Sequence, residues 1–249
     1  MTTRYVLVPG AASGPGYWHL VVPLLRERGH EVVAVDLPCE DEDAGLEAYA
    51  DVVAAAMGEH ARVVVVAQSM GSLSATLACA RRPVDLLVLV APMVPVPGET
   101  GGQWWEAVGQ AEAAAELAAA QGRPAEPFDE QAVFLHDVPE EVLAAGADDV
   151  RDQAGRPFED PWPLERWPDV PTRVVACRED RLFPLGLVRR YTRERLGISP
   201  DEMSGGHLPA LAHPEELVDL LEWLRWQEGS SRRRHRRLRS VQTSEEARA

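Results

Sequence analysis

Four consecutive valines at positions 63–66, followed by Ala67-Gln68-Ser69-Met70-Gly71-Ser72, constrain this chain more than any other stretch. An unbroken β-branched run reads as a strand buried on both faces, which requires a sheet covered on both sides. The run ends in small-x-Ser-x-Gly and passes into helix-compatible residues 72–80. A serine between a strand and a helix sits on a tight turn with strained backbone angles, so its hydroxyl projects clear of the sheet. Small residues two before and two after it let strand and helix approach closely. Ser69 is therefore a candidate nucleophile placed by backbone geometry, with Ala67 where glycine is usual.

Around this segment strand and helix patterns alternate. Strands are expected at 5–8, 31–35, 62–67, 85–91, 172–177 and 198–203, with helices near 17–28, 45–58, 72–80, 185–196 and 214–227. Such alternation implies an α/β fold: a mostly parallel sheet, right-handed crossovers and helices on both faces. Its active site should lie beyond the carboxyl ends of the strands. The core is assigned to residues 1–95 and 172–229 of the 249. Residues 96–171 differ in composition, with helix candidates at 103–121 and 139–153 and proline-punctuated stretches carrying Trp104, Trp105, Phe128, Phe134, Phe158, Trp162 and Trp167. This is too long for a simple connection, and it reads as a helical cap inserted over the sheet's carboxyl edge.

Charge and cysteine usage exclude several function classes. A net charge of −15 argues against a nucleic-acid-binding body. All 25 basic residues are arginine, which removes lysine Schiff-base chemistry. Cys39, Cys79 and Cys177 have no metal-type spacing, so no metal site is expected, and they read as reduced thiols of a cytoplasmic protein. The chain enters a strand directly after residue 4 and shows neither a signal peptide nor an apolar run of membrane-spanning length. Residues 230–249 hold seven arginines against two glutamates and are expected to form a disordered tail.

A serine hydroxyl is a weak nucleophile near neutral pH and needs a base, an acid to orient that base, and donors for the oxyanion. His207, in Ser204-Gly205-Gly206-His207, lies on a loop at the active edge of the sheet and is the expected base. His213 directly precedes a helix start, which suits a surface role. The expected acid is Asp180, on the loop after strand 172–177, with Glu179 its immediate rival. One oxyanion donor should be the N–H of Met70. The other belongs to the loop Pro9-Gly10-Ala11-Ala12-Ser13-Gly14-Pro15-Gly16, with Ala11 first and Ala12 the alternative. That loop matches neither the P-loop nor the dinucleotide pattern. Ala12, Met93, Trp104, Trp105 and His136 are the expected pocket residues.

These residues resemble the α/β-hydrolase superfamily, most of all the small serine esterases related to plant methylesterases and hydroxynitrile lyases. The similarity runs over nearly all of residues 4–227 and rests on Val8-Pro9-Gly10-Ala11, Asp36-Leu37-Pro38, Ala67-Gln68-Ser69-Met70-Gly71, Arg178-Glu179-Asp180-Arg181 and Gly205-Gly206-His207. It implies Ser69, Asp180 and His207 as nucleophile, acid and base, and Ala11 with Met70 as oxyanion donors. Pro9 and Gln68 stand where histidines are common. Hydroxynitrile lyases of this kind carry a lysine right after the histidine, where this chain has Leu208. The expected activity is a cofactor-independent hydrolysis of a small apolar ester, lactone or thioester, with no nucleic-acid or membrane partner. A lyase or acyltransferase on the same triad, or a non-catalytic small-molecule binder, are the alternatives.

Overall fold

The computed structural model describes residues 2–246 except 125–126 and 147–148, with side chains as far as Ser230. The valine run becomes β3 (Val63–Gln68), and all six of its residues are buried. It lies between β1 (Arg4–Val8) and β4 (Leu86–Val90), parallel to both. β2 (Glu31–Ala34), β5 (Thr172–Cys177) and β6 (Asp201–Met203) complete a six-stranded parallel sheet in the order β2-β1-β3-β4-β5-β6.

Period-two alternation distributes the strands between two cores. Val6, Val65, Leu87 and Val174 pack on one face with α2 (Leu46–Met57), α3 (Gly71–Arg81) and α9 (Leu185–Leu196). Tyr5, Val64, Val66 and Val88 pack on the other with α1 (Val21–Glu27), α10 (Pro209–Ala212) and the first turns of α11 (Pro214–Glu246). Each of Val64, Val65 and Val66 is fully buried, a gain of about 1.5–3 kcal/mol apiece. The chain leaves β1 toward one edge for β2, then crosses back to β3 on β1's other side. The crevice beyond the ends of β1 and β3 is thus the topological switch point, where open α/β sheets bind ligands.

Among the described residues, five α-helices lie between β4 and β5: α4 (Gly101–Ala107), α5 (Gln110–Ala120), α6 (Glu130–Val133), α7 (Glu140–Gly146) and α8 (Arg156–Glu159). The single helix expected over 103–121 is two. A Thr100/Gln103 capping box starts α4, and Gly109, with φ of 65°, breaks it from α5. The helix expected over 139–153 ends at Gly146, and beyond the undescribed pair the chain runs alongside residues 12–14. The final helix, expected to stop at 227, continues to Glu246. Of the tail expected to be disordered over 230–249, residues 230–246 fall within that helix, and residues 247–249 lie outside those described.

Candidate active site

Ser69 follows β3 immediately, in the left-handed region at φ 50°, a conformation that costs a non-glycine residue free energy and needs support from its surroundings. That support is visible. Its N–H donates to Val90 O at 3.0 Å, and its carbonyl accepts from Ser72 N and Met93 N, both at 3.2 Å. The Ser72 hydroxyl bridges Ser69 O and Met93 O, at 2.5 and 2.6 Å. A Cβ on Gly71 would stand 2.2 Å from Pro9 O, so only glycine lets α3 start this close to the loop after β1.

His207 Nε2 lies 3.0 Å from Ser69 Oγ, and His207 Nδ1 lies 2.8 Å from Asp180 Oδ2. Asp180 and His207 are both buried. The other carboxylate oxygen, Oδ1, accepts from Leu182 N and Phe183 N, each at 2.9 Å. Glu179 points elsewhere, accepting from Gly205 N at 2.5 Å. The imidazole is clamped edge-on between Phe134, 5.3 Å away, and Phe183, 4.9 Å away. Gln68, the residue behind the elbow, donates from Nε2 to His207 O at 3.0 Å and so ties β3 to the histidine loop.

From the segment between β4 and β5, Asp137 Oδ2 accepts the N–H of Gly206 at 2.6 Å. A Cβ on Gly206 would lie 2.8 Å from Asp137 Oδ1 and 2.8 Å from His136 Nε2, which explains the glycine there. His213 Nε2 is 3.8 Å from Asp137 Oδ2, on the outer side of that loop.

A cavity of about 510 Å³ opens over Ser69 and His207. Ala11, Ala12, Met70, Met93 and Trp105 line it, together with Phe134, Leu135, Leu143 and Leu182. Two expected pocket residues are elsewhere. Trp104 is fully buried, its Nε1 donating to Val94 O at 3.0 Å and its ring edge-on to Phe183 and Tyr191. His136 faces the backbone of Gly206, and burial lowers its pKa ahead of the opposing effect of Asp137. Among the described residues, the N–H groups of Ala11 and Met70 have no protein acceptor, whereas Ala12 N–H donates to Gln153 Oε1 at 3.1 Å. Gln153 and Asp137 went unremarked in the sequence because their partners are 141 and 69 residues distant.

A parallel sheet with a strained serine after its third strand, a histidine and an aspartate on later loops, and a helical segment between β4 and β5 defines a class. The chain belongs to the alpha/beta hydrolase family, whose model matches residues 5–220. Esterase PIR7B of Oryza sativa subsp. japonica is 36% identical over 112 residues, 40% of this chain and 42% of that protein. The match thus spans less than half the rice esterase. A pyrethroid hydrolase of Sphingobium wenxiniae is 25% identical over 244 residues, 88% of this chain and 86% of its own. In fold, the chain is similar to the crystal structure of polyneuridine aldehyde esterase, with a TM-score of 0.71 and 21% identity over 89% of this chain and 98% of that one.

Proposed function

We propose that the protein hydrolyses a small apolar carboxylic ester, lactone or thioester through an acyl-enzyme on Ser69. It is an enzyme of the carboxylic ester hydrolase type. The observation that carries the finer reading is the hydrogen-bonded line Asp180–His207–Ser69, 2.8 and 3.0 Å per step, at the floor of an apolar cavity.

Ser69 Oγ attacks the carbonyl carbon as His207 Nε2 takes its proton. Asp180 accepts from Nδ1–H, holds that tautomer and stabilises the imidazolium. Because Asp180 is itself fixed by the Leu182 and Phe183 amides, the imidazole has one orientation. The carbonyl oxygen, now an oxyanion, accepts from Ala11 N–H and Met70 N–H. Such donors each lower a barrier by about 3–4 kcal/mol. His207 then protonates the departing alcohol or thiol, and the acyl group stays on Ser69. In the second half, His207 deprotonates a water that attacks the acyl carbon; the acid leaves and Ser69 regains its proton. Phe134, Leu143 and Trp105 would take the apolar part of the substrate. We assign the enzyme to the cytoplasm on its three buried thiols. Among the described residues, no helix is long and apolar enough to cross a membrane.

The test uses a fluorophosphonate probe and p-nitrophenyl esters of short acids. Labelling and turnover should be present in the wild type and absent in Ser69→Ala. Turnover without labelling, surviving in the mutant, would remove Ser69 from the mechanism.

A further inference from the structure

The glycine-rich loop after β1 does hold an anion, and that anion belongs to the protein. The carboxylate of Asp149 accepts from Gly16 N at 3.0 Å and Tyr17 N at 2.9 Å. Around it the segment returning from the cap lies along the loop as a short antiparallel ribbon. Gly14 N donates to Asp149 O at 3.2 Å, Arg151 N donates to Ala12 O at 3.1 Å, and Ser13 and Val150 form a β-bridge. Two of the loop's glycines are explained by this contact. A Cβ at position 14 would lie 2.7 Å from Asp149 Oδ1, and one at position 16 would lie 2.6 Å from Asp149 Cγ.

Gln153 completes the arrangement. Its Oε1 accepts Ala12 N–H at 3.1 Å, while its Nε2 donates to Tyr49 Oη at 3.2 Å and Ala154 O at 2.9 Å. Tyr49 is fully buried, so the carboxamide is anchored to the core and cannot follow a loop that drifts. Ala12 is held at φ 56°, a conformation that needs outside support. Gln153 and Arg151 grip its N–H and its C=O. The adjoining Ala11 N–H, which borders the cavity, is left without a protein acceptor.

We propose that Asp149 and Gln153 are positioning residues for the oxyanion hole: the cap's returning segment holds Ala11 N–H at the site. The proposal rests on the serine hydrolase reading above. It makes the cap part of the catalytic architecture as well as a wall of the pocket, because the same segment that closes the cavity sets the loop. A donor displaced from the oxyanion loses its effect on the transition state while ground-state binding in the apolar cavity persists.

The experiment measures kcat and KM on p-nitrophenyl butyrate, and inhibition by an alkyl trifluoromethyl ketone of matching chain length. The variants are Gln153→Ala, Gln153→Glu, Asp149→Ala and Asp149→Asn. In Gln153→Ala and Asp149→Ala, kcat should fall about 10–100-fold with KM within about threefold, as expected for a misplaced oxyanion donor. The ketone should bind more weakly by the same factor. Gln153→Glu keeps an oxygen facing Ala12 N–H and should recover most of kcat. Folded alanine variants with wild-type kcat, or losses that neither weaken the ketone nor respond to glutamate, would overturn the proposal. Should Asp149→Ala not fold, Gln153→Ala and Asp149→Asn, which keeps one acceptor oxygen, decide the matter by the same criteria. A wild type that neither turns over nor labels with a fluorophosphonate would instead overturn the serine hydrolase reading, and this inference with it.

Discussion

Gly71→Ala adds one methyl group where the two halves of the proposed oxyanion site meet. The new Cβ would lie 2.2 Å from Pro9 O, 3.1 Å from Val8 Cγ1 and 3.2 Å from Pro9 C. Two of these are backbone atoms of the loop carrying Ala11, so no side-chain rotation relieves the contact. Restoring an ordinary carbon–oxygen separation requires α3 and the loop to part by about 1 Å. Overpacking of this kind costs about 1–3 kcal/mol. For a chain of this size that is a fall in Tm of roughly 2–12 °C. The effect on catalysis is larger, because the same displacement separates Met70 N–H from Ala11 N–H. A shift of about 1 Å at reacting groups lowers a rate on the order of 100-fold. Steady-state kinetics and a thermal melt read both quantities. Gly186→Ala provides the internal control. Gly186 sits exposed within α9, a Cβ there meets nothing within 4 Å, and the change should stabilise by about 0.5–1 kcal/mol with activity unaltered. A Gly71→Ala enzyme with wild-type Tm and kcat would refute the close-approach argument for the elbow.

Other outcomes follow from the same geometry. Gln68→Leu removes the donor to His207 O and leaves a buried carbonyl unpaired, so stability should drop by about 1–3 kcal/mol in chemical denaturation; an unchanged midpoint would contradict this. Burial raises the pKa of Cys39, Cys79 and Cys177, so a thiol-specific disulfide reagent at pH 8 should label none of them natively and all three after unfolding. Burial pushes Glu222 up, but hydrogen bonds from Arg225, Tyr5 and His30 outweigh it and hold its carboxyl at about 2 instead of 4.5. A depressed folded-state pKa gives stability that is complete above 4.5 and lost as pH falls from 4.5 toward 2. Glu222→Gln should flatten the pH dependence of Tm in that window, and a slope equal to the wild type's would refute the assignment.

Much of this site is written in short segments. The valine run, the elbow serine and the strand ends before Asp180 and His207 are local signals, and the parallel sheet brings those ends to one edge. The choice between Asp180 and Glu179 is not local. It depends on a turn in which Asp180 Oδ1 takes the Leu182 and Phe183 amides and Oδ2 lies beside His207 Nδ1, while Glu179 reaches back to Gly205 N. Trp104 and Trp105 are neighbours whose directions differ by about 100° around a helix, and only one faces the cavity. The buried series Gly101, Trp104 and Val108 has the three- and four-residue spacing that assigns Trp104 to the core. Residues 149–153 carry helix-compatible neighbours, yet they follow the loop at 12–17 because its amides attract a carboxylate. That attraction spans more than 130 positions, and no window of sequence contains it.

The account stands or falls on a covalent bond at Ser69. Mixing the enzyme with excess p-nitrophenyl butyrate, quenching in acid within milliseconds and mapping the peptides by mass spectrometry tests it directly. A butyryl group on the peptide containing Ser69, absent in Ser69→Ala and formed far more slowly in His207→Ala, is the predicted result. Turnover of the ester with no acylated peptide, or with the acyl group on another residue, would contradict it.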